Sequence, residues 1–404
     1  MPKILRIINR FNLGGPTYNA AYLSRYMPPE FETLLIGGEK DDSEDSSEFI
    51  VKNLGLDPII IPEMKREIDL KNDFEAYRKM VKIIEDFKPD IVHTHASKAG
   101  TIGRLAAANM KVPVIIHTFH GHVFHSYFGK MKTVMYKNIE RNLARRSSTI
   151  IAISEKQKTE LCLVHRICKP EKIRVVPLGF DLTRFTENMQ EKRSKFRLRY
   201  NIADDEIAIG IIGRLVPIKN HKLFIEACKI VLEKTQQKIR LFIIGDGEDR
   251  LNIESMARKA EIPFIDGMAS NAIAPLTFTS WIQEIDVACA GLDIIALTSL
   301  NEGTPVSLIE AQAANKPIVT TNVGGIENVV VEGVTALLSH SKTDPNQFAS
   351  LLLQITENKE RRDELSRAGW EHVRNKFHYT RLVRDMTELY YDLLNVSADS
   401  NGRF

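Results

Sequence analysis

An α/β protein made of two Rossmann-like halves facing each other is predicted by three observations. Short β-branched runs alternate with helix-period stretches along the chain, the alternation restarts near residue 207, and glycine follows the first strand of each half. Such alternation gives parallel sheets covered by helices on both faces. At 404 residues the chain exceeds one ordinary core and suits two domains of about 180 residues each.

In the first half, strands are expected at 3–8, 33–36, 58–61, 90–93, 112–118 and 149–153, where Val, Ile and Thr concentrate. Helical periodicity marks 17–27, 73–87, 100–109 and 131–145. The second half repeats the pattern with strands at 207–213, 239–244, 262–265, 292–297 and 316–320. The join falls near Asp181 to Tyr200, a polar stretch after the turn-forming Pro177-Leu178-Gly179. Domains of 1–182 and 183–378 follow, with a last helix over 379–396 carrying Leu382, Met386, Leu389 and Tyr390 at helical spacing, and fraying from Ser397. In open parallel sheets ligands sit outside the carboxyl ends of the strands, which directs the site to the cleft between the halves.

Composition narrows the function. With 43% apolar and 26% charged residues the chain reads as soluble and globular, and a net charge of +3, from 55 basic and 52 acidic side chains, argues against nucleic-acid binding as the main activity. The four cysteines, Cys162, Cys168, Cys228 and Cys289, lack Cys-x-x-Cys spacing and suit a reducing cytoplasm. Arg6 interrupts the apolar start, unlike a signal peptide, and no run of about 18 apolar residues is present to span a membrane.

The most informative segment is Leu300-Asn-Glu-Gly-Thr-Pro-Val-Ser-Leu-Ile-Glu310. A strand precedes it, and a helix is expected to open at Pro305 with Thr304 as its cap. Free amides and the positive pole of a helix dipole attract phosphate. Glu302 lies before that helix and Glu310 roughly 7 Å along it, so carboxylates flank the phosphate position and can accept from sugar hydroxyls. A nucleoside-diphosphate sugar, anionic in the middle and hydroxylated at both ends, fits this layout. Arg214 and Lys219 leave the first strand of the second half and could neutralise the diphosphate as its charge grows during transfer. Gly14 and Gly15 end the first strand of the chain, and Gly15 opens a close backbone approach to a phosphate or acceptor sugar; an ordinary loop is the alternative. Gly245-Asp246-Gly247 reads first as a turn.

The ordered set Gly14-Gly15, His117 to His122, Pro177-Leu-Gly-Phe-Asp181, Gly213-Arg214 with Lys219, Gly245-Asp-Gly247, Glu302 with Glu310, and Val323-Gly-Gly325 resembles the retaining glycosyltransferases of family 4, which have the GT-B fold. The likeness covers nearly the whole chain. It implies that the last helix crosses back onto the first domain, that His120 reaches the donor hexose near its anomeric region, that Glu302 holds hexose hydroxyls and Glu310 the ribose, and that the backbone of Gly303, Thr304 and Pro305 completes the donor pocket. It implies a UDP sugar as donor, a cell-surface glycan or lipid-linked acceptor, and acceptor attack from the face the phosphate vacates, with no protein nucleophile. Where the family usually carries glycine after the lysine this chain has Asn220, which tolerates a left-handed turn.

His93, His95, His117, His120, His122 and His125 offer metal binding as an alternative, but their alternation along strands need not make them converge. No Asp-x-Asp pair occurs, so metal-independent transfer without a cofactor is expected. Lys130, Lys137, Arg141 and Arg145 fall in one stripe of a helix whose opposite side carries Met131, Met135, Tyr136, Ile139 and Leu143. That stripe is either a solvated face over core packing or a dock for anionic lipid at the inner face of the cell membrane. The acidic run Glu39 to Glu48 is a solvated loop or a partner contact. Rival readings are a UDP-sugar epimerase, a metal-dependent hydrolase built on the histidines, and a non-catalytic sugar-nucleotide binder.

Overall fold

A computed structural model of the chain describes residues 1–11, 15–39, 48–65, 69–120, 130–267 and 273–400. Among these, the chain forms two compact units, Met1–Phe180 with the segment from Lys376 onward, and Asp181–Asn375.

In the first unit β1 (Lys3–Arg10), β2 (Glu32–Gly38), β3 (Ile59–Ile60), β4 (Ile91–His95), β5 (Val114–Phe119), β6 (Thr149–Ala152) and β7 (Ile173–Val175) form a parallel sheet in the order β3-β2-β1-β4-β5-β6-β7. In the second, β8 (Glu206–Ile212), β9 (Lys238–Ile244), β10 (Phe264–Asp266), β11 (Leu276–Phe278), β12 (Ile294–Leu297), β13 (Ile318–Thr321) and β14 (Ala336–Ser339) run in the order β10-β11-β9-β8-β12-β13-β14, also parallel. Both orders reverse direction beside their first strand, between β1 and β4 and between β8 and β12. That reversal leaves a crevice at the strand ends, where the crossover helices diverge.

The sequence pattern explains the layers. β5 and β12 are buried along their whole length, as strands covered on both faces must be. The Leu70–Phe87 helix begins where the Asp69 carboxylate accepts from the amides of Lys71 and Asn72, and stops at Lys88, left-handed at φ 53°. The Tyr379–Ser400 helix belongs to the first unit, where Leu382, Met386, Leu389 and Tyr390 bury against Ile4, Leu23, Ile91, Val114 and Val176. It continues past Ser397, where fraying was expected. The polar stretch taken as the join holds a helix, Met189–Arg199, whose Phe196 is buried and whose Arg197 pairs with Asp293 at 3.2 Å. Strands β7, β11 and β14 are additions to the sequence-based expectation.

Candidate active site

The β8–β12 crevice gathers most of the expected donor residues. The exit of β8 runs to a 3-10 turn, Pro217–Lys219, and the exit of β12 carries Thr298 to Gly303. Leu300 donates its amide to the Ile218 carbonyl (2.8 Å) and the Thr298 hydroxyl donates to the Lys219 carbonyl (3.0 Å), binding the two exits together. Asn220 is left-handed at φ 50°, as its residue type allows, and turns the chain into the His221–Lys234 helix.

Within this frame Lys219 Nζ donates to Glu302 Oε1 at 2.6 Å, and the Ser299 hydroxyl donates to the same oxygen at 2.5 Å. The lysine and glutamate side chains are only 20% and 11% exposed, so the pair is shielded from bulk screening. An ammonium has three donors, so Lys219 keeps capacity for a further oxygen. The Arg214 side chain is exposed and has no hydrogen-bond or ion-pair partner among the described residues, while its carbonyl accepts from the Val216 amide at 3.0 Å.

Glycines fix the Glu302 loop by close backbone contact. A Cβ on Gly324, left-handed at φ 59°, would lie 2.0 Å from the Glu302 carbonyl oxygen, and one on Gly325 would lie 1.8 Å from that of Gly303. The Gly325 amide donates to the Glu302 carbonyl at 2.8 Å. Gly245, at φ 137°, plays the same part for the β8 exit, since a Cβ there would meet the Gly213 oxygen at 2.0 Å. Gly245-Asp246-Gly247 is therefore a packing turn, and Val323-Gly324-Gly325 the clamp on the Glu302 loop.

The Val306–Ala313 helix starts one residue later than expected. Pro305 is its N-cap, with φ −72° and ψ 101°, and no side chain caps it, so the role expected for Thr304 is not fulfilled. The amides of Gly303, Thr304, Val306 and Ser307 have no acceptor among the described residues, which leaves an electropositive row of donors beside Glu302. Four residues into the helix, Glu310 is 17% exposed and lies 3.9 Å from the Arg184 guanidinium. Burial pushes its carboxyl up to about 7, against the pull of Arg184 and with the help of Asp286. Ser299 and Arg184 were not anticipated. The hydroxyl directly before the motif could have signalled the first, whereas Arg184 lies in the stretch read as a join and carries no motif.

His120 belongs to the first unit, just past β5. The β4–β5 register sets His95 beside Thr118 and Thr94 beside His117, so the histidines divide between two faces. His93, His95 and His120 share one, with ring centroids 4.2 and 5.1 Å apart and His95 Nδ1 2.9 Å from His120 Nε2. The expectation that these rings need not converge is thus corrected for three of them; His117 turns away to the Thr94 hydroxyl at 2.8 Å. Burial lowers His120 to about 3, so it is a neutral hydrogen-bonding group at physiological pH.

Behind the ladder, buried Arg6 donates to the Tyr390 hydroxyl at 2.8 Å, and that hydroxyl lies 2.7 Å from His93 Nδ1. Burial, then the charge of Arg6, holds His93 well below its usual range. Ala96, directly after His95, sits at φ 66° and ψ 167°, a region that suits glycine, and such strain clusters at functional sites. Gly15 opens the Gly15–Tyr26 helix at the end of β1. Gly14, His122, His125 and most of the acidic run from Glu39 lie outside the described residues. No group of three or more His, Cys, Asp or Glu side chains is arranged to hold a metal among the described residues.

The basic stripe is only partly realised. On the Lys130–Arg146 helix, Arg141 donates to the carbonyls of His165 and Arg166, both at 2.9 Å, and so ties down a loop; Lys137 is half-buried and Arg145 exposed. The Lys130 side chain lies outside the described residues. Met135, expected to face the core, is 51% exposed beside exposed Val134, while the inward face of the helix carries buried Glu140, paired with Arg104 at 2.7 Å. Among the described residues, no helix is long and apolar enough to cross a membrane.

Two seven-stranded parallel sheets, each with its own switch point, define an α/β protein of two Rossmann-like units. Residues 13–184 match the family model described as Glycosyltransferase Family 4, and residues 192–372 match Glycosyl transferases group 1. The chain belongs to the GT-B glycosyltransferases of this family and is a transferase. It is similar to the UDP-Gal:alpha-D-GlcNAc-diphosphoundecaprenol alpha-1,3-galactosyltransferase of Escherichia coli, with 29% identity over 83% of each chain. To the capsular polysaccharide biosynthesis glycosyltransferase CapM of Staphylococcus aureus it is 27% identical, over 84% of this chain and 86% of that one. Among solved structures, HepE of Anabaena in complex with UDP superposes with a TM-score of 0.78 at 18% identity, over 96% of this chain and 100% of that one, a likeness of fold. Family membership sets the epimerase reading aside.

Proposed function

We propose that this glycosyltransferase moves a hexose from a UDP sugar, with retention, to a lipid-linked or cell-surface glycan acceptor. The observation that carries the reading is the Lys219–Glu302–Ser299 cluster beside the open amides of Gly303, Thr304, Val306 and Ser307. Those amides, with Arg214 and Lys219, would bind the diphosphate and stabilise the charge it gains as the sugar C1–O bond breaks. Glu302, already oriented by two donors, would accept from a hexose hydroxyl, and Glu310 from the ribose. The acceptor oxygen would bond to C1 on the face the phosphate leaves, giving its proton to that phosphate. His120 would reach the hexose, and Gly15 would admit phosphate or acceptor sugar by its lack of a side chain. The names of the relatives from Escherichia coli and Staphylococcus aureus support a UDP sugar and an envelope polysaccharide, and HepE has been solved with UDP-glucose. Exposed Val134, Met135 and Arg145 support peripheral contact with an anionic membrane at its cytoplasmic face.

The test is turnover of UDP-galactose and UDP-glucose with a GlcNAc-diphospho-polyprenol acceptor, with the product anomer assigned by NMR. An α-linked product is expected. Lys219→Ala and Glu302→Gln should each lower kcat/KM by about a hundredfold, and the double variant should lose less than the sum, by about 0.5–3 kcal/mol of coupling. A β-linked product, or fully additive losses, would contradict the proposal.

A further inference from the structure

The first unit carries a second cation-lined site that the transfer reaction does not use. A cavity of about 920 Å³ is bounded by Arg141, Arg145, Arg166, Lys169 and Lys172, with Glu171 as the sole carboxylate among its lining residues. Its walls are the end of the Lys130–Arg146 helix, the Glu160–Val164 turn and the Pro170–Lys172 turn. Ser148 and Lys172 stand just before β6 and β7, parallel to β5, whose far end leads to His120. The cavity is therefore at the opposite end of this sheet from the histidine ladder.

Two of the five cations have structural work. Arg141 ties down the carbonyls of His165 and Arg166, and Lys172 donates to the Arg145 carbonyl at 3.1 Å. The helix dipole accounts for one more favourable contact, Arg145 at a helix C-terminus. Nothing accounts for Arg166 and Lys169, which with Arg145 are exposed and form no ion pair among the described residues. Some exposed lysines meet carboxylates, as in Lys195–Glu284 at 2.8 Å and Lys238–Asp205 at 2.5 Å, whereas the cavity gathers these three cations, unpaired among the described residues, around one carboxylate. Moreover, Arg166 is left-handed at φ 51°, and Arg141 donates to its carbonyl and to that of His165, which braces the backbone of this turn beside the cavity.

Guanidinium forks match phosphate oxygens, and a cavity of this size suits a small molecule or headgroup. Thiol chemistry at the wall is disfavoured, since burial pushes Cys168 up to about 11. We propose that this cavity binds a phosphate-bearing anion, separate from the sugar donor. The phosphate is either soluble or the headgroup of an anionic lipid, and exposed Leu163 and Val164, which follow the lining residue Cys162 in the chain, are candidates for acyl contact.

Calorimetric titration of the full chain with sodium pyrophosphate tests the proposal. Three proteins are compared: the unchanged chain, Lys219→Ala to weaken the donor crevice, and Arg166→Glu/Lys169→Glu. Binding should persist in Lys219→Ala and weaken at least about tenfold in the charge-reversed chain. Arg145→Glu, also at an exposed position, should report the same loss if the double variant melts early. Flotation with phosphatidylglycerol vesicles against phosphatidylcholine vesicles identifies the source. Loss of phosphatidylglycerol binding in both the charge-reversed chain and Leu163→Ser/Val164→Ser supports a lipid headgroup; loss of pyrophosphate binding alone supports a soluble anion. Pyrophosphate and vesicle binding that are both unchanged by charge reversal would overturn it.

Discussion

Glu310 shows how a single position can tie activity to pH. A carboxylate accepts a hydroxyl hydrogen bond more strongly when ionised, and burial has moved this group up to about 7. If it holds the ribose, the KM for a UDP sugar should fall as pH rises from 6 to 8 and level off above. Glu310→Gln should bind donor more weakly and lose most of that slope. Steady-state KM measured across the range decides the matter, and a Gln variant with the original slope would exclude Glu310 as the titrating group. Residue by residue, the segment proposed to hold the donor could be picked out because its carboxylates and helix start lie in one contiguous run, Leu300 to Glu310. Ser299 and Arg184 were not, since a lone serine and an arginine in a polar stretch gain meaning only from the carboxylates the fold brings to them.

Elements position that chemistry through backbone contact. The Glu302 loop is stacked on Gly324 and Gly325 with no space for a Cβ. Gly324→Ala must also place alanine at φ 59°, so it should displace the loop, lower kcat/KM by tenfold or more, and cost about 1–3 kcal/mol of stability. Assay and urea melts on one preparation test this; full activity with lowered stability would mean the loop is not held by this clamp. The long strands could be read directly because β-branched runs such as Ile207 to Ile212 admit little else. By contrast, β7 (Ile173–Val175) and β11 (Leu276–Phe278) are each interrupted by a polar residue, Arg174 and Thr277, so neither makes the apolar run that marked β3. The missing cap at Pro305 has a related cause. Local preference favoured Thr304, but the chain leaves those amides without a side-chain acceptor, a local rule broken where a ligand is proposed.

At the scale of the molecule, the two units differ in their response to acid. His93, His95 and His117 are fully buried in the first unit, and burial holds all three well below 6.5. The unfolded chain then binds protons that the folded unit refuses. Stability from these groups is complete above pH 6.5 and is lost as pH falls below it. In the second unit His221, lowered to about 4 by burial, acts in the same direction. Glu310, raised to about 7, opposes it, because the folded state holds that proton more tightly and gains stability as pH falls through 7 toward 4.5. The two oppose each other between pH 6.5 and 4.5, whereas the buried histidines of the first unit all act in one direction, against the folded state in acid. Hydrogen exchange at pH 7.5 and 5.5, corrected for intrinsic rates, should therefore show β4 and β5 losing protection while β8 and β12 keep it. Equal losses in both sheets, or earlier loss in the second, would mean that the buried histidines do not govern the acid limit of this enzyme.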